Sequence, residues 1–367
     1  MIRITITENE ENQRLDRFLK KYLRNAPLSY IYKLIRKSVK INGRRAGIET
    51  MLALGDELTV YIAEEEAEAW QRKKAAGQAK KQFRVAYEDE NVVIVEKPFG
   101  LLVHGDKTEK KNTLANQVVG YLAEKGEYSP GRERTFVPSP VNRLDRNTTG
   151  LVIFGKNNKA LQSLNRMIRD RGYVRKYYLT VVHGEMKKSL QLKDRMEKDE
   201  KTNTVKVLDL DSEEGKVMET VARPLQTAGG YALVEVELVT GRTHQIRAHL
   251  AKAGFPVIGD VKYAARGQNK KIEEKFGLTT QLLHAYKLCF DGGIDPLEYM
   301  KGIEVTAELP ENFKEIRESL FGGGDGSQPG RSKSEEKGKR KPEAKAERGP
   351  REKAKGKPGE KDGAKRR

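Results

Sequence analysis

The sequence predicts an α+β protein: a small helical unit on a β-ribbon, then a larger domain on one extended, largely antiparallel mixed sheet flanked by helices, then a disordered tail. Three observations predict it. Residues 13–62 carry two amphipathic helical stretches and two short alternating runs set off by turn residues. From Phe83 to about Phe321, short apolar runs alternate with amphipathic segments at irregular spacing. No repeat of about 20 to 50 residues appears, which argues against a solenoid or a regular βαβ array. From Gly324 to Arg367, 16 Lys and Arg stand against 8 Asp and Glu over 44 residues whose only apolar side chains are alanines. Such a segment buries too little surface to offset its ordering entropy. The expected divisions are 1–62, a linker at 63–82, the larger domain at 83–321 and the basic tail at 322–367.

Within the first unit, Leu15, Phe18, Leu19 and Tyr22 fall on one helical face, with Arg14, Arg17, Lys20, Lys21 and Arg24 off it. Pro27 breaks this helix, and Ser29 suits the N-cap of a second one. That helix turns Ile31, Leu34 and Ile35 inward and Lys33, Arg36 and Lys37 outward. Val39 and Ile41 alternate into the turn Asn42-Gly43, and Leu58, Val60 and Ile62 alternate after Gly55-Asp56, so both runs read as strands. Residues 63–82 are rich in Ala, Glu, Lys and Gln without an apolar stripe, an exposed and partly helical linker in which Trp70 stacks on a base or, as a lone linker tryptophan more often does, packs on a neighbouring domain. In the larger domain the apolar runs at 92–96, 151–155, 177–182 and 231–239 read as strands, and 158–169 as a helix aligning Leu161, Leu164 and Ile168.

Composition limits the function. The chain has 367 residues and a formal net charge of +18, with Cys289 its single cysteine. One cysteine excludes an intrachain disulfide and a multi-cysteine zinc site, which points to a reducing, cytoplasmic setting. No stretch approaches 18 consecutive apolar residues and the start lacks an export signal, so no membrane partner is expected. A basic excess of this size points to nucleic acid. It is concentrated at the ends: residues 1–62 hold 12 Lys and Arg against 7 Asp and Glu.

Three segments carry candidate chemistry. Between Pro138 and Gly155, two prolines forbid a helix and Thr148-Thr149-Gly150 turns the chain into a buried strand. Asp145 thus sits on a rigid loop between Arg143 and Arg146, where guanidinium groups keep a carboxylate ionised and competent as nucleophile or base. A turn aspartate in a structural ion pair would look the same. The segment 241–263 starts a helix at Gly241 and Thr243, lines its inner face with Ile246, Leu250 and Ala253, and sets Arg247 on one flank with His244. His244 and His249 are five apart, so they do not form the i, i+4 pair of a helical zinc site, and each reads as a satisfied polar residue. In the strand from Tyr177, only one of Tyr177 and Tyr178 can line a cleft, where a ring would stack on a pyrimidine.

Read together, the motifs are specific. EKPFGLLVHG at 96–105, RLDRNTTGL at 143–151, KYYLTVVHG at 176–184, GRTHQIRAHLAKAGFPVIGD at 241–260 and LLHAYKLCF at 282–290 follow the order of the RluA-type RNA pseudouridine synthases, which the chain resembles from about residue 83 to 316. RLDRFL at 14–19, SYIYKLIR at 29–36, VKING at 39–43 and LGDEL at 54–58 resemble a small RNA-binding domain first recognised in a small-subunit ribosomal protein. Together they are similar to the large-subunit ribosomal RNA branch.

The resemblance implies an isomerase that converts uridine to pseudouridine, with no cofactor or metal and with RNA as partner. That RNA is expected to be ribosomal, within a ribosome assembly intermediate, and the protein a monomer. It implies that Asp145 is the catalytic residue, Tyr178 contacts the target base, Arg247 pairs with the catalytic carboxylate, Leu283 lines the pocket and Arg143 touches RNA near a flipped nucleotide. In the first unit it implies RNA contact by Arg14, Arg17, Lys33, Arg36 and Lys37. Asn142 departs from the family, standing where many members have His. All atoms are retained in the reaction, and whether the carboxylate attacks ribose, attacks uracil or abstracts a proton stays open. A transfer RNA synthase, a noncatalytic RNA chaperone and a nucleosidase are the rival readings. The chaperone leaves Asp145, Tyr178 and Arg247 together unexplained, and the nucleosidase leaves the first unit unexplained.

Overall fold

The computed structural model describes residues 1–71, 79–130, 133–199 and 204–322. The tail is therefore outside the described residues from 323 onward, as is the linker segment 72–78.

The first unit contains β1 (Ile2–Thr5), α1 (Leu15–Tyr22), α2 (Leu28–Ser38), β2 (Val39–Ile41), β3 (Arg44–Arg45) and β4 (Glu57–Val60). The strands form one antiparallel sheet in the order β1-β4-β2-β3. Asn42 and Gly43 take φ of 49° and 77°, the left-handed pair that a two-residue hairpin turn requires. The two helices lay Leu15, Phe18, Leu19, Ile31, Leu34 and Ile35 on this sheet, each nearly or fully buried, and close a core of their own with Leu58 and Val60. The alternation of Ile2 and Ile4 is the signal for β1, a strand that the sequence analysis did not identify. Ser29 is not the N-cap of α2: that position is Pro27, extended at φ −61° and ψ 147°, so Ser29 falls inside the first turn. Helix α3 (Glu64–Gln71) follows in the expected linker; Ala67 is buried and Trp70 packs on Tyr30 with ring centroids 5.6 Å apart.

The remaining elements are β5 (Arg84–Glu88), β6 (Val92–Lys97), α4 (Leu114–Glu124), β7 (Ser139–Pro140), β8 (Thr149–Gly155), α5 (Asn158–Asp170), β9 (Val174–His183), β10 (Leu190–Asp199), β11 (Thr204–Leu208), β12 (Lys216–Ala228), β13 (Tyr231–Leu238), α6 (Gln245–Lys252), α7 (Lys270–Phe276), β14 (Leu283–Phe290), β15 (Glu304–Thr306) and α8 (Glu311–Phe321). Strands run in the order β11-β10-β12-β13-β9-β14-β8-β6-β5, with β15 on β14 and β7 on β8. Every pairing is antiparallel except β8 with β14. The middle of this sheet is covered on both faces, which is why its strands read as unbroken apolar runs. In β6 and β8, Val93, Val95, Val152 and Phe154 enter one core while Val92, Ile94, Leu151 and Ile153 enter the opposite one.

The β8–β14 junction positions the site. Its parallel register pairs His284 with Thr149 and Ala285 with Gly150. Gly150 has φ of 111°, and a Cβ there would lie 2.1 Å from the Ala285 carbonyl oxygen. No other residue fits. Gly150→Ala should cost about 3 kcal/mol of stability or more, or prevent folding, as read by denaturant unfolding. A variant unfolding at the wild-type midpoint would mean that the two backbones do not approach this closely.

Candidate active site

Asp145 occupies the loop between β7 and β8. Its carbonyl accepts from Thr148 N at 3.1 Å, a turn bond, and its carboxylate is about a quarter exposed at 26%. The loop is fixed from below by Lys97 at the end of β6. The Lys97 ammonium donates to the carbonyl oxygens of Pro98, Leu101 and Arg146 at 2.9, 2.8 and 2.9 Å. Burial pushes the Lys97 pKa down to about 7, against the pull of the Asp145 charge. Arg146 Nε reaches the Gly100 carbonyl at 3.1 Å, a second tie between the same two segments. Asn142, at the position where family members carry His, bridges backbone instead: its Nδ2 donates to Leu151 O at 3.2 Å and its Oδ1 accepts from Ile153 N at 2.8 Å.

Across the cleft, Arg247 comes from α6. Its Nε and Nη2 donate to the Asp260 carboxylate at 2.6 and 2.8 Å, and its Nη1 to Asp145 Oδ2 at 3.2 Å. Asp260 is fully buried and also accepts from Lys262 N at 2.9 Å. Burial opposes the Arg247 charge, but the ion pairs with Asp260 first and Asp145 second raise its pKa. The helix starts later than the sequence suggests. It begins at Gln245, with His244 as N-cap in the left-handed region at φ 53°, and Ala253 is its C-cap rather than an inner-face residue.

That conformation gives His244 a role that the sequence analysis missed. Its Nε2 lies 3.9 Å from Asp145 Oδ2 and its Nδ1 2.9 Å from Tyr263 Oη. Tyr263 Oη also accepts from Val205 N at 2.9 Å, so the phenol ties the imidazole to β11 and holds the ring with Nε2 facing Asp145. Burial lowers the His244 pKa and favours the neutral ring. The residues before the helix gave the only signal: a histidine three before Arg247 shares its flank.

Tyr178 and Leu283 form the apolar wall, 5% and 6% exposed. Strand alternation separates the two tyrosines. Tyr177 lies on the far face under Lys287, whose Nζ is 4.7 Å from the ring, and beside Arg175. Burial, then the nearby Asp145 charge, raises the Tyr178 pKa, so the phenol keeps its proton. Tyr178 and Leu283 share with Asp145, Arg143 and Arg247 a narrow niche of about 50 Å³, which adjoins a cleft of about 750 Å³ lined by Arg143, Asp145, Lys176, Tyr178 and His244 among others. A cleft of that volume holds a nucleotide. The structure thus brings Arg143, Asp145, Tyr178, Arg247 and Leu283 together.

The basic residues of the first unit do not line this cleft. Arg17, Lys33, Arg36 and Lys37 are exposed on α1 and α2. Arg14 differs: it is half-buried, bonded to Asp16 at 3.0 Å and to Glu49 at 2.9 Å, so its charge is already compensated.

Removing the Arg247 side chain would leave Asp260 buried with only backbone donors. Arg247→Ala should therefore cost roughly 3 to 5 kcal/mol of stability, measured by thermal or denaturant unfolding. A variant as stable as the wild type would show that Asp260 finds another partner.

The chain is similar to known proteins. The pattern of the family described as RNA pseudouridylate synthase matches residues 91–252, which include Asp145, Tyr178 and Arg247. Ribosomal large subunit pseudouridine synthase C of Escherichia coli (strain K12) is 35% identical over 300 residues, covering 78% of this chain and 88% of that protein. The protein of the same name from Vibrio vulnificus (strain CMCP6) is 30% identical over 322 residues, covering 86% and 96%. A solved structure, Human RNA Pseudouridylate Synthase Domain Containing 4, is 24% identical and aligns over 64% of this chain and 92% of its own with a TM-score of 0.48. With an essentially full-length relative at 35% identity, the chain belongs to the RluA-type family of RNA pseudouridine synthases and isomerises uridine in RNA.

Proposed function

We propose that this protein converts uridine to pseudouridine in large-subunit ribosomal RNA, acting as a monomer in the cytoplasm on an assembly intermediate in which the target is still accessible. The observation that carries the chemical part is the Asp145 carboxylate, held by Arg247 at 3.2 Å beside the apolar wall of Tyr178 and Leu283. The relatives' printed names support the ribosomal substrate. Asp145 is the catalytic residue. It assists cleavage of the bond from ribose to uracil nitrogen 1, the detached ring turns, and a bond forms from carbon 5, whose proton leaves to solvent while nitrogen 1 takes one up. Tyr178 contacts the base, Leu283 seats it, Arg247 holds the carboxylate in position, and Arg143 touches RNA beside the flipped nucleotide. A base in a duplex cannot reach a carboxylate set this deep, so the nucleotide leaves its stack to react.

Incubation with a large-subunit ribosomal transcript labelled with tritium at uridine carbon 5, followed by nucleoside analysis, tests the reading. Pseudouridine with released tritium is expected; free uracil would mean a nucleosidase, and an unchanged transcript an RNA binder or a transfer RNA enzyme. Asp145→Asn keeps the side-chain shape and loses the charge, so turnover should vanish while RNA affinity changes little. Turnover near the wild-type rate would remove Asp145 from the chemistry.

The first unit, residues 1–62, is the RNA-gripping module. Its exposed cations contact phosphates; Arg14, engaged with Asp16 and Glu49, contributes less than the sequence suggests. Replacing Arg17, Lys33, Arg36 and Lys37 together by Gln should make the slope of log affinity against log salt shallower by roughly 3, at about 0.7 to 0.9 per contact. The rate at saturating RNA should stay near wild type. An unchanged salt slope would refute the gripping role.

A further inference from the structure

Lys176 has no partner to explain its burial. It lies in β9 at 8% exposure. Among the described residues, no carboxylate reaches its ammonium within ion-pair distance and no acceptor within hydrogen-bond distance. The other deeply buried cations of the domain are satisfied: Lys97 by three carbonyl oxygens, Arg247 by Asp260 and Asp145. The far face of β9 shows the same contrast, where Arg175 meets Asp291 at 2.6 Å. Across the sheet Lys176 stands opposite Leu288, which offers nothing polar. Burial first, and then the like charge of Arg171 at the end of α5, lowers its pKa. Its stem is buried while its ammonium opens into the cleft, and a cation held there without a counter-charge suits a ligand that supplies the anion.

The position tells which anion. Lys176 and Tyr178 are two residues apart in one strand, so both side chains leave the same face about 6.6 Å apart. Both line the cleft that contains Asp145 and Arg143. When a base sits against Tyr178, the sugar-phosphate chain continues outward along that wall, and the span from a base to the phosphate of its own or the adjacent nucleotide matches this separation. Arg143 is exposed and lines the same opening, also without a carboxylate partner among the described residues. We infer that Lys176, in the cleft that Arg143 also lines, binds a phosphodiester of the RNA next to the flipped nucleotide, completing its own charge balance only in the complex. Lys176 is thus a positioning residue, which sets the backbone so that the sugar meets Asp145. This rests on the RNA pseudouridine synthase reading above.

The full-length protein and its Lys176→Met and Lys176→Arg variants test it, with the tritium-labelled large-subunit transcript as probe. Methionine keeps length and removes the charge. Without RNA, Lys176→Met should unfold at the same temperature as wild type or higher, because an unpaired buried charge is gone. With RNA, its affinity at low salt should fall about tenfold. Its salt slope should become shallower by about 0.7 to 0.9, one phosphate contact. Lys176→Arg, which also pairs with phosphate, should recover most of the loss. An unchanged salt slope in Lys176→Met overturns the inference. So does an unfolding temperature that falls in step with RNA affinity, or an arginine variant as weak as the methionine one, since either assigns Lys176 to packing. Failure of the wild type to release tritium would instead overturn the ribosomal RNA reading, so the two are separable.

Discussion

The pair between Arg247 and Asp260 is the interaction on which the rest of the site depends. A carboxylate with no exposed surface holds two nitrogens of the guanidinium and leaves the third aimed at Asp145. Because the fork is planar, gripping one edge sets the direction of the other. Asp145 therefore meets a donor whose position is decided before any substrate arrives, and arranging it costs nothing at the moment of reaction. The same carboxylate accepts from Lys262 N, which fixes the turn after α6. Tyr263 in that turn stacks near Arg247 at 5.2 Å and orients His244. One buried charge thus organises the helix start, the turn and the imidazole.

Positive charge is used in three ways along this chain. Lys97 is buried as a tie between loops, satisfied by carbonyls. Arg247 is buried as a bridge between carboxylates. Arg17, Lys33, Arg36 and Lys37 stay on the surface, where solvent screens them until a polyanion approaches. Net charge counts all of these alike, which is why +18 indicated the class of ligand and nothing about the pocket.

What was legible in the sequence follows the same division. The helices α1 and α2, the hairpin at Asn42-Gly43 and the strands β6, β8, β9 and β13 were readable because periodicity and turn chemistry act over a few residues. Strands β10, β11 and β12 were not, since charged and polar residues interrupt their apolar alternation. In the site, Arg143, Asp145, Tyr178, Arg247 and Leu283 were named from motifs and meet at one cleft. Asp260 and Lys97 were not singled out, and His244 was read only as a satisfied polar residue. Their placement depends on a left-handed cap, on a partner 13 residues away and on carbonyls of another loop. Ser29 shows the converse: a good capping residue falls inside the helix, whose N-cap is the extended Pro27 two residues earlier.

The close approach of Gly150 to Ala285 also orders events in time. Asp145 and Arg247 are separated by 102 residues, and the strand that completes the parallel pair with β8 begins only at Leu283. The first unit closes its own core between Ile4 and Ala67. On a ribosome that delivers the chain from its N-terminus, its basic surface can form while most of the sheet is still unsynthesised. The pocket comes into being only when nearly the whole described chain has emerged, because it has no wall until β14 slots in beside β8. A protein built this way gains its charge-bearing face early and its chemistry last, so an incomplete chain carries the surface without the reactive site.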